Sequence, residues 1–418
     1  MVTPTAGMKV SGGRGHANLA QGAENVGLRC PVAQRQGPFF AVQNTFSMTS
    51  HLFSAFQLGP LALANRIIVS PMCQYSAEHG SATPWHRVHL GQMAQSGAGL
   101  LIIEATAVEA VGRITPGCLG LYSDANERAL RAVLDDVRSF SEMPIGIQLS
   151  HAGRKASSAR PWDGGQLLVA EHGGWPSVAP SAIPHGQHEA PPMALDADGL
   201  VRIRQAFVDA AMRAARLGLQ AVELHCAHGY LLHQFLSPIA NRRMDAYGGN
   251  VANRMRYPLE VFDAVREALP ASIPLGVRVS ATDWVDGGWD LEQTTRFAEQ
   301  LKQRGCAWID VSSGGISPLQ TIPVGPGYQV PLAQAIRRAT GLPTMAVGLI
   351  TEPHQAETIV QEGHADMVAL ARAMLWDPRW PWHAAAALGA SVKVPPQYWR
   401  SEPREARGVF AGARIGQR

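Results

Sequence analysis

With 418 residues, 46% hydrophobic and 17% charged, the chain is long and apolar enough to bury a large core, and its composition excludes an intrinsically disordered protein. The formal net charge is only +3, no Lys/Arg block interrupts the sequence, and aromatic residues are not interleaved with basic ones, so no nucleic-acid partner is expected. Apolar runs of about ten residues at most are too short to cross a bilayer, and the scattered Cys30, Cys73, Cys118, Cys226 and Cys306, odd in number and without metal-site spacing, point to a reduced, cytoplasmic setting.

Residues 1–47 are rich in Gly, Gln and Ala, carry Lys9, Arg14, Arg29 and Arg35 against Glu24 alone, and show neither helical nor strand periodicity. They read as a flexible extension. The absence of an apolar core segment argues against a secretory signal. From about Met48 onward, short apolar runs alternate with amphipathic stretches. The runs are Ile67–Ser70, Leu100–Glu104, Ile145–Leu149, Ala221–Leu224, Leu275–Val279, Trp308–Val311, Thr344–Gly348 and Met367–Leu370. Helical patterns between them include Leu200–Leu217, Met255–Leu269, Leu291–Arg304 and Pro353–Glu362. Eight such strands close a parallel (β/α)8 TIM barrel, here spanning residues 48–400, with 401–418 as a C-terminal tail. The Pro-, Gly- and Trp-rich stretch from Gly153 to Pro192 reads as an insertion after the third strand that caps the catalytic face. A doubly wound sheet is the alternative, but no dinucleotide glycine fingerprint follows the first strand.

Chemistry concentrates where strands end. Glu223-Leu224-His225-Cys226-Ala227-His228-Gly229-Tyr230 places two imidazoles and a phenol just past the fourth strand, where they can grip an oxygen and move a proton. Pro71-Met72-Cys73-Gln74-Tyr75 brings a thiol and a second phenol after the first strand, although a lone cysteine there is more often a small buried hydrophobe. Gln148 and Arg278 are long polar groups at the ends of buried strands and need partners. A bound heterocycle would supply them. Gly348 and Arg372 end the seventh and eighth strands, where barrels often hold phosphate, so the set suggests a phosphorylated flavin. A zinc hydrolase using His225, His228 and His151 is the reading from a different class, but no His-Glu-x-x-His motif or suitably spaced carboxylate supports it.

Pro71–Tyr75, Gly153-Arg154-Lys155-Ala156, Glu223–Leu231, Ser237-Pro238, Asn241-Arg242-Arg243, Asp245–Gly249 and Asn253-Arg254 resemble the old yellow enzyme family of FMN-dependent ene-reductases over about residues 50–400. Cys73 and Tyr75 together with a His-His pair are similar to its xenobiotic-reductase and thermophilic-like branch. The resemblance implies tightly bound FMN, with NADPH or NADH as reductant and ping-pong turnover. It implies that Pro71, Met72 and Ala105 line the flavin edge, that Gln148 pairs with the pyrimidine ring, and that Arg278 lies near N1 and the C2 carbonyl. Cys73 would tune the flavin potential, and Gly348, Ala371 and Arg372 would hold the phosphate. Alanine at 371, where many relatives have glycine, is tolerated if its φ is negative. His225 and His228 would polarise the acceptor's carbonyl or nitro oxygen, Tyr230 would protonate the α-carbon, and Tyr75 would bind substrate from the other side. Expected acceptors are enones, maleimides or nitro compounds. Gln397–Arg400 resembles a tail with which Trp399 and Arg400 reach a neighbouring subunit's site in a homodimer or higher even oligomer. Flavin enzymes of larger substrates, such as dienoyl-thioester reductases or amine dehydrogenases, carry cysteine clusters and further domains absent from this sequence.

Overall fold

A computed structural model describes residues 50–414 and 416, so the extension expected at 1–47 lies outside the described residues. The eight apolar runs form the eight parallel strands of a closed barrel. They are β1 (Ile67–Val69), β2 (Leu100–Ala107), β3 (Ile145–Ser150), β4 (Ala221–Cys226), β5 (Leu275–Ser280), β6 (Ile309–Ser312), β7 (Thr344–Ala346) and β8 (Met367–Leu370). Each strand is covered on both faces, which is why its sequence is a continuous apolar run rather than an alternation. Closure comes from β8 pairing with β1, Ala369 opposite Ile68.

Helices wrap the outside, and their starts are written in the sequence. Ser123, Asp196, Asn250 and Asp290 accept the backbone N–H of Asn126, Gly199, Asn253 and Gln293, capping the helices Asp124–Arg138, Ala197–Arg216, Val251–Ala268 and Leu291–Gln303. Each such cap is worth about 1 kcal/mol. The helix expected from Leu200 therefore starts at Ala197, because Asp196 rather than the first apolar residue sets its origin. An antiparallel hairpin, Phe56–Leu58 with Leu61–Leu63, precedes β1 and plugs the N-terminal end of the barrel. Its Leu58 and Leu63 pack on Ile68, Leu100, Trp308, Met345 and Met367.

One boundary differs in a way that matters. β4 does not stop at Leu224 but runs through Cys226, with His225 paired in register to Arg278 of β5. His225 thus belongs to the strand, not to the loop beyond it. A polar ring ends the apolar run in the sequence while the hydrogen-bond ladder continues. Between β3 and Ala197 the chain builds the turns Gly153–Lys155, Pro161–Asp163 and Ala170–His172 and a short sheet pairing Val178–Ala179 with Met193–Ala194. This insertion is tied to the loops after β4 and β6: Lys155 Nζ donates to His228 O at 2.9 Å and Arg154 Nη2 to Ile316 O at 2.6 Å. At the opposite end, Val392, Val394, Trp382 and Phe410 form a separate small cluster. No helix among the described residues is long and apolar enough to cross a membrane.

Candidate active site

Strand alternation points Glu223 and His225 on β4, Arg278 and Ser280 on β5, and Asp310 and Ser312 on β6 toward the barrel axis. The outermost of these groups support the two histidines. The Ala227 N–H donates to His225 Nδ1 at 3.2 Å, and His225 Nε2 lies 3.3 Å from His228 Nδ1. His228 is held with φ +57°, a conformation that non-glycine residues rarely adopt. Its N–H donates to Ser280 Oγ at 2.9 Å and its Nε2 lies 2.7 Å from Ser312 Oγ. Burial, reinforced by the nearby Arg278 charge, pushes both imidazoles well below the usual 6.5. Both are therefore neutral near pH 7, with a single N–H each. Tyr230 stacks edge-on against His225 with centroids 4.8 Å apart, and burial raises its phenol well above the ordinary value, so the proton stays on.

Beneath this pair lies a fully buried charge cluster. Arg278 Nε is 3.2 Å from Asp310 Oδ2, and Arg278 Nη1 donates to Ser70 Oγ at 3.2 Å. Gln148 Nε2 donates to Glu223 Oε1 at 2.8 Å, and Trp308 Nε1 to Glu223 Oε2 at 3.0 Å. One guanidinium faces two carboxylates, and the cluster resolves this with a proton. Burial, then the charge of Asp310, pushes Glu223 up from 4.5 to about 8. Between those values the folded state holds a proton that the unfolded chain releases, so this group makes stability fall as pH rises through that window. Glu223→Gln removes that slope: in urea unfolding of the FMN-loaded protein, the variant gains on the wild type between about pH 5 and about pH 8. A difference independent of pH would contradict a protonated Glu223.

The remaining expected residues are distributed as follows. The loop after β1 is anchored by Glu104 of β2, whose Oε2 accepts the Gln74 N–H at 3.0 Å. This places Cys73 and Tyr75 at the same end as the histidines. Burial, then Cys118, holds the Cys73 thiol well above its usual range, which opposes a nucleophilic thiolate. Tyr75 sits at φ +51° and meets Trp162 of the insertion edge-on at 5.7 Å. Gly348, just past β7, has φ +116°, and a Cβ there would come within 2.6 Å of Gln329 Nε2, so only glycine fits. Ala371 adopts φ −107°, the negative φ that alanine needs there, with ψ −85°, and Arg372 begins the short helix Arg372–Trp376. His151 does not join the histidine pair: its Nδ1 accepts the Gly153 N–H and its Nε2 meets Glu109 Oε1 at 2.9 Å, which removes the third ligand from the zinc reading. Trp399 and Arg400 are not at this site. Trp399 donates to Val394 O at 3.1 Å and packs on the cluster around Trp382.

Residues 51–390 match the model of the NADH:flavin oxidoreductase / NADH oxidase family. The chain belongs to this family. Among its relatives are an NADPH dehydrogenase of Listeria innocua, 44% identical over 84% of this chain and 99% of the relative, and one of Geobacillus thermodenitrificans, 41% identical over 84% and 99%. An NADH:flavin oxidoreductase of Gibberella zeae is 42% identical over 87% of this chain and 92% of its own length. Morphinone reductase superposes with a TM-score of 0.67 at 28% identity, over 88% of this chain and 94% of that one. A second morphinone reductase structure, in complex with tetrahydroNAD, gives 0.65 at 28% identity over 87% and 94%. The old yellow enzyme resemblance is thereby established, and the protein is an FMN-dependent NAD(P)H oxidoreductase acting on small molecules.

The residues fit the cofactor of this NADH:flavin oxidoreductase. Among the described residues, Gln148 Oε1 and Arg278 Nη2 carry no protein hydrogen bond, although the side chains are almost wholly buried at the C-terminal strand ends. A flat heterocycle with carbonyls and ring nitrogens satisfies both. Sequence reasoning marks Glu104 and Ser312 as polar strand ends at this face but gives no role to Glu223, Asp310 or Gln329. Carboxylates inside the runs Ala-Val-Glu-Leu-His and Trp-Ile-Asp-Val-Ser are the available signal, since a buried acid two residues from a site residue shares its face.

Proposed function

We propose that the protein reduces the activated C=C bond of α,β-unsaturated carbonyl compounds, with maleimides and nitro compounds as further acceptors, at the expense of NADPH or NADH. The observation that carries this reading is the pair of neutral imidazole nitrogens 3.3 Å apart, His225 Nε2 and His228 Nδ1, at the C-terminal mouth of the barrel. Two N–H donors at that spacing can share one oxygen. Bound FMN supplies hydride acceptance from the nicotinamide and hydride donation to the alkene.

Gln148 and Arg278 would hold the pyrimidine side of the isoalloxazine, Pro71, Met72, Cys73 and Ala105 its edge, and Gly348, Ala371 and Arg372 the phosphate. Arg278 would supply positive charge to stabilise the reduced, anionic ring. His225 and His228 donate to the acceptor oxygen as negative charge develops on it, which makes the β-carbon electrophilic. The Tyr230 hydroxyl delivers the proton to the α-carbon, and Tyr75 contacts the acceptor from the opposite side. Because both imidazoles titrate well below 6.5, the clamp keeps its donors through the neutral range.

Tyr230→Phe is expected to slow reoxidation of the reduced enzyme by 2-cyclohexenone about 10²- to 10⁴-fold, the usual worth of a positioned proton donor. Reduction by NADPH should be unaffected. Rapid mixing of each half-reaction checks this, and an unchanged reoxidation rate would remove Tyr230 from its role. Trp399 and Arg400 would complete the pocket of a neighbouring subunit in an even-numbered oligomer of a cytoplasmic enzyme; the support is that both lie away from their own chain's site, with Arg400 exposed.

A further inference from the structure

The two histidines can donate to a single oxygen in only one combination of tautomers, with the proton on His225 Nε2 and on His228 Nδ1. The first is fixed by the backbone, because the Ala227 N–H occupies His225 Nδ1 at 3.2 Å and a neutral ring must then carry its proton on Nε2. No backbone group fixes the second. His228 presents Nδ1 to His225 at 3.3 Å and Nε2 to Ser312 Oγ at 2.7 Å. The tautomer of His228 therefore depends on which way the Ser312 hydroxyl points.

That hydroxyl has a second acceptor. Gln329 Oε1 lies 3.4 Å from Ser312 Oγ and also accepts from Ser313 Oγ at 2.6 Å. The amide cannot turn over freely, because Gln329 Nε2 donates to Val347 O at 2.9 Å. Ser312, Ser313, Gln329 and His225 are buried and His228 is half-buried, so water reaches the His228 ring but does not substitute for a missing partner of Ser312 or Gln329.

We propose that Ser312, steered by Gln329, is a positioning residue that sets the tautomer of His228 and so switches the histidine pair into its oxygen-binding form. Without a ligand, His225 Nε2–H donates to His228 Nδ1, His228 Nε2–H to Ser312 Oγ, and the Ser312 hydroxyl to Gln329 Oε1. When an acceptor oxygen arrives, the hydroxyl turns to donate to His228 Nε2, and His228 carries its proton on Nδ1, aimed at the ligand. The ring holds one proton throughout, exchanged between its nitrogens by water, while the serine only rotates. The inference rests on the carbonyl-clamp reading above.

The test uses the FMN-loaded enzyme labelled with ¹⁵N-histidine, and 4-hydroxybenzaldehyde as the probe. Histidine ¹⁵N–¹H correlation spectra of the wild type are expected to show His228 protonated at Nε2 alone and at Nδ1 in the complex. Ser312→Ala is expected to leave both tautomers populated in the complex and to weaken binding about tenfold, the scale of one lost buried hydrogen bond. Ser312→Thr, which restores a hydroxyl, should recover both. In a His228→Asn background, where the amide donates with no tautomer to choose, adding Ser312→Ala should change affinity less than about twofold. A wild-type complex with His228 protonated at Nε2, or a Ser312→Ala complex with wild-type affinity and tautomer, would overturn the proposal. The former needs no variant to fold. If His225→Ala with His228→Ala leaves the affinity unchanged, the clamp itself fails and this inference with it, whereas a weakened double variant beside a silent Ser312→Ala sinks only the tautomer switch.

Discussion

Replacing His225 and His228 together with alanine is expected to slow reoxidation of the reduced enzyme by 2-cyclohexenone at least about 10³-fold, since a single oxyanion-type donor is commonly worth about 10²- to 10³-fold. The flavin should stay bound and its reduction by NADPH should persist, because neither imidazole is among the groups assigned to the isoalloxazine. Stopped-flow absorbance separates the two half-reactions. The effect is expected to exceed a simple loss of contacts. Both neutral rings are held in place by Ala227, Ser280 and Ser312 before any ligand arrives, so placing them costs little at the moment of reaction. Enone turnover surviving the double change unaltered would show that the acceptor oxygen is held elsewhere.

The second large effect is expected at Arg278. Its guanidinium is the cation within the interior cluster, 3.2 Å from Asp310, a carboxylate with no exposed surface. Arg278→Met leaves that carboxylate buried without its counter-charge, which typically costs about 3–5 kcal/mol. It also removes the positive charge assigned to the reduced flavin. The variant should unfold at markedly lower urea concentration and purify with little FMN. Adding Asp310→Asn should return most of the stability, because the orphaned charge is gone, without returning tight flavin binding. Equilibrium unfolding together with the flavin absorption of the purified variants checks both halves. Recovery of FMN binding when Arg278→Met and Asp310→Asn are combined would place the flavin's electrostatic partner elsewhere.

The histidine pair and the interior charge cluster differ in how visible they are in the sequence. The barrel is legible because strands covered on both faces must be apolar throughout, and each of the eight runs becomes a strand within a few residues of its expected bounds. His225, His228, Gln148 and Arg278 stand out because polar side chains ending apolar runs demand partners. Glu223 and Asp310 are hidden by the same runs. A single acid within four or five apolar residues looks like noise until the ladder shows it two residues from His225 or Ser312 and on the same face. The extent of β4 escapes the pattern for the converse reason: His225 interrupts hydrophobicity without interrupting hydrogen bonding. Glu104 shows as the acid ending an apolar run, whereas Gln329 has no signature in the pattern, since it reaches Ser313 only in the folded barrel. The left-handed backbone of His228 likewise has no signature in a residue that is not glycine.

The most direct test of the account is a crystal structure of the FMN-loaded enzyme with 4-hydroxybenzaldehyde. The prediction is one ligand oxygen within hydrogen-bond distance of both His225 Nε2 and His228 Nδ1, with the ring lying over the flavin and flanked by Tyr75 and Tyr230. A ligand seated over the flavin with its oxygen directed away from both imidazoles would contradict it.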